Sequence, residues 1–145
     1  MHSLELRPQE NWTLPLHKPR SANHASSRER LKLARMPEPG VERIRALNDR
    51  ARQSFTGCRV AITAGIAALG HEAAYAVFDL IKAYDEFTPD NDPYQEHDFG
   101  SFHFGTHQVF WKFDYYDLDF TMRSPDPEDE TVTARVLTVM LAEEY

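Results

Sequence analysis

Residues 99–116 read Phe-Gly-Ser-Phe-His-Phe-Gly-Thr-His-Gln-Val-Phe-Trp-Lys-Phe-Asp-Tyr-Tyr. A two-residue alternation runs through both halves, and Gly105-Thr106-His107 supplies a turn between them. Successive strand side chains point to opposite faces, so the pattern predicts a hairpin over 99–104 and 108–116. On the second strand Val109, Trp111, Phe113 and Tyr115 share one face. Phe110, Lys112, Asp114 and Tyr116 share the other. A hairpin pairs antiparallel, and helices must then cover one of the two faces.

The flanking sequence supplies those helices. In residues 41–55, Val41, Ile44, Leu47, Ala51 and Phe55 recur on one helical face. Pro39 lies ahead, Gly57 follows, and Arg43, Arg50 and Arg52 fall on the other faces. Residues 58–64 alternate as a strand that Gly65 ends. A second helix is expected over 69–86, with Ala73, Val77, Leu80, Ile81 and Tyr84 as its buried stripe. Residues 88–93 form a turn-rich loop. After the hairpin a short third strand is expected over 118–122. Asp126 as cap, Pro127 at the first helical position and Glu128, Asp129 and Glu130 in the first turn signal a last helix. It would run to about residue 144 and bury Val132, Val136, Val139 and Met140. Its β-branched content keeps a strand as the minority alternative. The expected fold is α+β: a two-layer sandwich whose small, mainly antiparallel sheet is covered by about three helices. It occupies residues 41–145 as a single domain.

Residues 1–40 differ in kind. Five prolines interrupt them, and no apolar period runs long enough for a packed helix, although 27–36 can form a short one. They read as a disordered basic leader. Met36 sits just before the folded pattern, which makes it a candidate natural start. The leader carries seven Lys/Arg against four Asp/Glu, while residues 41–145 carry nine against nineteen. Thirteen of those acids lie within 85–130, beside only Lys112 and Arg123. Such a surface repels a nucleic-acid backbone and attracts cations or basic proteins. No apolar run spans a bilayer and no secretory signal opens the chain, so a cytoplasmic location is expected. The lone Cys58 allows neither an internal disulfide nor a cysteine-based zinc site.

Several stretches resemble a known family. They are Ile44-Arg45-Ala46-Leu47-Asn48-Asp49, Asp90-Asn91-Asp92-Pro93, Glu96-His97-Asp98-Phe99-Gly100-Ser101-Phe102, Phe110-Trp111-Lys112-Phe113-Asp114-Tyr115-Tyr116-Asp117, and residues 135–145. In this order they resemble the bacterial family catalogued as domain of unknown function 3768, over about residues 42–145. The resemblance implies a proteobacterial origin and a setting on plasmids and other mobile elements, beside anti-restriction and conjugation genes. It brings no catalytic residues with it.

Chemistry could sit in five places. The first is the cluster Asp90, Asp92, Glu96, His97 and Asp98, with Asp114 and Asp117 from the aromatic strand. Carboxylates offer hard oxygen ligands to a divalent metal, and a histidine offers a base or a softer ligand. Against this, Asp90, Asn91 and Asp92 are ordinary turn formers, and no calcium-hand or His-Glu-x-x-His pattern is present. The second is the strand face with Lys112, Asp114 and Tyr116, with His103 as a neighbour. It suits acid–base work, but a solvated sheet face normally carries such pairs. The third, Gly65-Ile66-Ala67-Ala68-Leu69-Gly70-His71, has phosphate-loop glycine spacing without the lysine that must follow. The fourth is Cys58, expected to pack as a small apolar residue. The fifth is the set Arg43, Arg45, Arg50, Arg52 and Arg59, expected to balance the acidic half.

These features favour a non-enzymatic acidic interaction module. It would act on a basic partner protein, in its sharpest form by mimicking nucleic-acid charge against a host defence nuclease, and would need no cofactor. The alternative is a metal-dependent, hydrolase-like enzyme using the carboxylates and His97 of residues 90–98. A third option is a homodimer that buries the aromatic strand against its twin.

Overall fold

The computed structural model describes residues 40–145. The leader and the question of a start at Met36 lie outside the described residues. The fold is α+β, a four-stranded mixed sheet with three α-helices among the described residues. The elements are α1 (Val41–Ser54), β1 (Arg59–Ile62), the four-residue α2 (Ala64–Ala67), α3 (His71–Lys82), β2 (Phe99–Phe104), β3 (His107–Tyr116) and β4 (Ala134–Leu141). The strand order is β1-β4-β3-β2. β2 and β3 form the expected hairpin, in register from Phe99 opposite Lys112 to Phe104 opposite His107. Its two-residue turn opens on Gly105 with φ +62°, the left-handed region that such turns need.

The C-terminal segment corrects the expectation of a last helix. Residues 134–141 are a strand in the middle of the sheet, antiparallel to β3 and parallel to β1. The helix-start signals are real but are spent locally. Asp126 accepts the backbone N–H of Glu128, and Asp129 accepts that of Thr131, opening a single 3-10 turn over Glu130–Val132. Beyond that turn, Val136, Thr138 and Val139 favour extended backbone. Both faces of β4 are buried. Leu137, Val139 and Leu141 join one cluster and Val136 joins another. A strand covered on both sides reads as a nearly continuous apolar run, and that run mimics a buried helix.

The larger cluster unites Ala51 of α1, Ile66 of α2, and Val77 and Ile81 of α3 with Val109, Trp111 and Phe113 of β3. The face of β3 that carries Val109, Trp111 and Phe113 is therefore the one the helices meet. Trp111 fits there because the facing residue on β2 is Gly100, where a Cβ would strike the indole. Three smaller expectations are corrected. α3 ends at Lys82, and Leu80 is exposed rather than part of its buried stripe. Residues 118–122 are not a strand: Asp117 gathers the Thr121 and Met122 amides and the Thr121 hydroxyl into a turn. Arg52 is buried at 2 % exposure rather than lying on an outer helix face.

Candidate functional site

The polar residues of α1 and the loop of residues 87–98 build one connected site. On α1, Ile44 continues at four-residue steps into Asn48 and Arg52, both buried. The core-facing stripe thus turns polar at its edge. Arg52 donates from Nη1 to the carbonyl oxygens of Ile81 and Tyr84, at 3.0 and 2.9 Å, and so closes the C-terminal end of α3. Its Nη2 donates to Asp49 at 3.0 Å. Asn48 donates to the Glu96 carbonyl oxygen and to the Tyr115 hydroxyl, and accepts from Arg135 Nε. Tyr115 in turn donates to the Glu96 carboxylate at 3.0 Å.

The loop is shaped by its own side chains. Asn91 Oδ1 accepts the Thr88 amide, and the Asp92 amide donates to the Thr88 carbonyl oxygen at 2.8 Å. Asp92 Oδ1 accepts the His97 amide at 3.1 Å. Gln95 and His97 both have positive φ, 62° and 56°, a conformation that costs non-glycine residues free energy. The surrounding bonds hold it in place.

His97 is the centre. Its Nδ1 lies 2.8 Å from Asp49 Oδ1, its Nε2 lies 3.6 Å from Asp92 Oδ2, and its ring stacks on Phe87 at 3.7 Å and 6°. The longer distance is an ion-pair separation rather than a hydrogen bond. Arg52 lies over the Phe87 ring as well, 5.4 Å from its centroid. The imidazole opens onto a cleft of about 390 Å³ whose walls include Phe87, Pro89, Pro93, Arg45 and Asp92.

The two carboxylates beside His97 are driven apart. Partial burial raises Asp49, but hydrogen bonds from His97 and Arg52 outweigh it and hold the carboxyl below its ordinary range. Asp92 is 5 % exposed, and burial pushes its carboxyl up against the opposing His97 amide and the charges of His97 and Arg45. Asp98 goes further. Burial, then the charges of Glu96 and Asp92, push it up to about 8.

The cluster expected at 90–98 is therefore partly assembled. Asp92 and His97 meet, Glu96 binds Tyr115, and Asp90 is exposed. Among the described residues, no three His, Cys, Asp or Glu side chains are arranged to hold a metal ion. Lys112 and Asp114 pair at 2.7 Å with side-chain exposures of 6 % and 12 %, and Tyr116 is buried, so this strand face is no open platform. His103 pairs across the hairpin with Gln108, away from Lys112. Asp117 serves its turn. Burial raises the Cys58 thiol to about 11, which keeps it protonated at neutral pH. At the glycine-rich turn the Gly65 amide donates to Glu144, so an internal carboxylate sits where a phosphate would. Arg43 and Arg50 pair with Glu130. Asn48, Asp49 and Phe87 are site residues the sequence alone did not single out, and Arg52 stood out only as one of a charge-balancing arginine set. The available signal was the polar continuation of the α1 stripe.

A family model described as Protein of unknown function (DUF3768) matches residues 62–144, more than half of the chain. No curated protein and no solved structure matches the chain. No described helix is long and apolar enough to cross a membrane.

The raised Asp98 makes stability depend on pH. Its folded value of about 8 lies above the ordinary 3.8, so the fold favours the neutral carboxyl. Its stabilisation is complete below the unfolded value and is lost as pH rises toward the folded one. Asp98→Asn should therefore match the wild type in urea denaturation near pH 4 and gain on it steadily toward pH 8. Parallel pH profiles for the two proteins would contradict this.

Proposed function

The chain belongs to the family Protein of unknown function (DUF3768), and on that premise we propose that the His97 cleft is its functional site. The cleft holds a small ligand against the imidazole, and His97 exchanges a proton with it. The clamped ring carries this reading: Asp49 on Nδ1, Phe87 on one face and the cleft in front. An ionised carboxylate on Nδ1 fixes the tautomer and orients the ring, leaving Nε2 as the exchanging atom. Asp92, whose carboxyl holds its proton more readily, stands beside Nε2. Paired carboxylates with values pushed apart around one histidine are how a fold separates acid and base roles.

The tautomer tests this. Nitrogen-15 NMR of the neutral His97 ring should show the proton on Nδ1, and Asp49→Ala should populate the Nε2-protonated form. A wild-type ring protonated on Nε2 would end the proposal.

A second reading concerns the surface. Asp85, Glu86, Asp90, Asp119, Asp126 and Glu128 are exposed, which favours an acidic interaction module. In this reading the protein is a bacterial mobile-element accessory acting in the cytoplasm. It engages a basic partner protein by mimicking nucleic-acid charge, against a host defence nuclease. The contact residues are the exposed acids, since Asp92 and Asp114 lie within the fold. Capture of a DNA-binding partner should fall as salt rises and fall again when Asp85, Glu86 and Asp90 are changed to Asn or Gln. Capture indifferent to salt and to those changes would dismiss it.

A further inference from the structure

We propose that the His97 cleft takes an organic carboxylate bearing an apolar group, and that Arg45 of α1 selects it. The proposal rests on the cleft being the functional site and adds the chemical class of its ligand. Three observations support it.

The first is Arg45 itself. Its Nη1 donates to the Gln95 carbonyl oxygen at 3.1 Å, which fixes the guanidinium at the cleft wall. Among the described residues it makes no other hydrogen bond, so the rest of its planar fork of donors remains for a ligand. That fork matches two carboxylate oxygens side by side. The fixed end also reduces the side-chain freedom lost on binding.

The second is the character of the walls. Phe87, Pro89 and Pro93 present apolar surface beside the cation, in a volume of small-molecule size. A ligand with one charged end and one apolar end satisfies both. A fully hydrated inorganic anion leaves the apolar walls unused.

The third is Asp92, on the same wall. Its carboxylate, when charged, opposes a second negative charge in the cleft. This favours a monoanion over a phosphate dianion.

The same chemistry is offered by a free small acid and by the C-terminus of a peptide. The test uses the full chain, with amide and His97 ring resonances followed by NMR during titration. The probes are phenylacetate, its neutral twin phenylacetamide, inorganic phosphate, and a short peptide ending in Phe with a free or an amidated C-terminus. Phenylacetate should shift the His97 and Arg45 resonances in a saturable way and bind about ten-fold or more tightly than the amide. Arg45→Gln should lose that preference, while Arg45→Lys should retain part of it. Amide resonances outside the cleft report whether each variant is folded. A stronger response to the free-ended peptide than to phenylacetate would identify a C-terminus as the source, and the reverse a free acid. Equal binding of acid and amide, an unaffected Arg45→Gln variant, or tighter phosphate binding overturns carboxylate selection while leaving the cleft as the site. If no probe moves the His97 resonances, carboxylate selection is overturned outright. The cleft itself then stands or falls on the His97 tautomer, which is read without any ligand.

Discussion

The bond between Asp49 and His97 joins two parts of the chain that nothing local would bring together. It pins the loop after α3 to the first helix, 48 residues away in sequence. Around it, Asn48 holds the Glu96 backbone, Arg45 holds Gln95, and Arg52 holds the end of α3. These bonds lie in partly or fully buried surroundings, and leaving a buried polar group there unpaired costs about 1–3 kcal/mol. Such networks are worth more than their separate bonds when complete and are costly when broken. The positive-φ residues Gln95 and His97 depend on this closure. It adds to the bonds within the loop, where Asp92 accepts the His97 amide, and fixes the imidazole at the cleft.

The sheet sets the distances that make the closure possible. β3 carries Trp111 and Tyr115 beneath α1, and β4 brings Arg135 to Asn48. The insertion of β4 between β1 and β3 therefore completes the polar network as well as the apolar core. Arg135 reaches Asn48 on one side and the Pro127 carbonyl oxygen on the other, tying the acidic turn before β4 into the same system. Two atoms stay outside this satisfaction: Arg52 Nε and Trp111 Nε1 are buried without a partner among the described residues. Arg52 lies 5.5 Å from the Trp111 ring, so both fall where α1 meets β3.

Much of the fold was legible in the sequence, for reasons particular to each element. The hairpin was clear because Phe99 to Tyr116 alternate with a period of two and a glycine marks the turn. α1 was clear because its apolar residues recur at helical spacing between Pro39 and Gly57. β4 was not clear, because a central strand buried on both faces has no alternation to betray it. The Asp126–Glu130 stretch then gave a genuine helix-start pattern that ends after one 3-10 turn. The site was legible in part. His97 and Asp92 stood out as a histidine and a carboxylate in a turn-rich loop. Asp49 did not, and Arg45 and Arg52 stood out only as members of a charge-balancing set, because charged residues on a helix ordinarily face water. Their burial is set by the loop that folds over them, a tertiary fact with no local signature.

The most direct measurement is a double-mutant cycle between Asp49 and His97, with stability read by urea denaturation of the two single alanine variants and the double variant. If the tie organises the site, the two substitutions are coupled by about 1 kcal/mol or more, the double variant losing less than the sum of the singles. Additivity within about 0.5 kcal/mol would show that the two side chains act independently and that the loop owes its shape to something else.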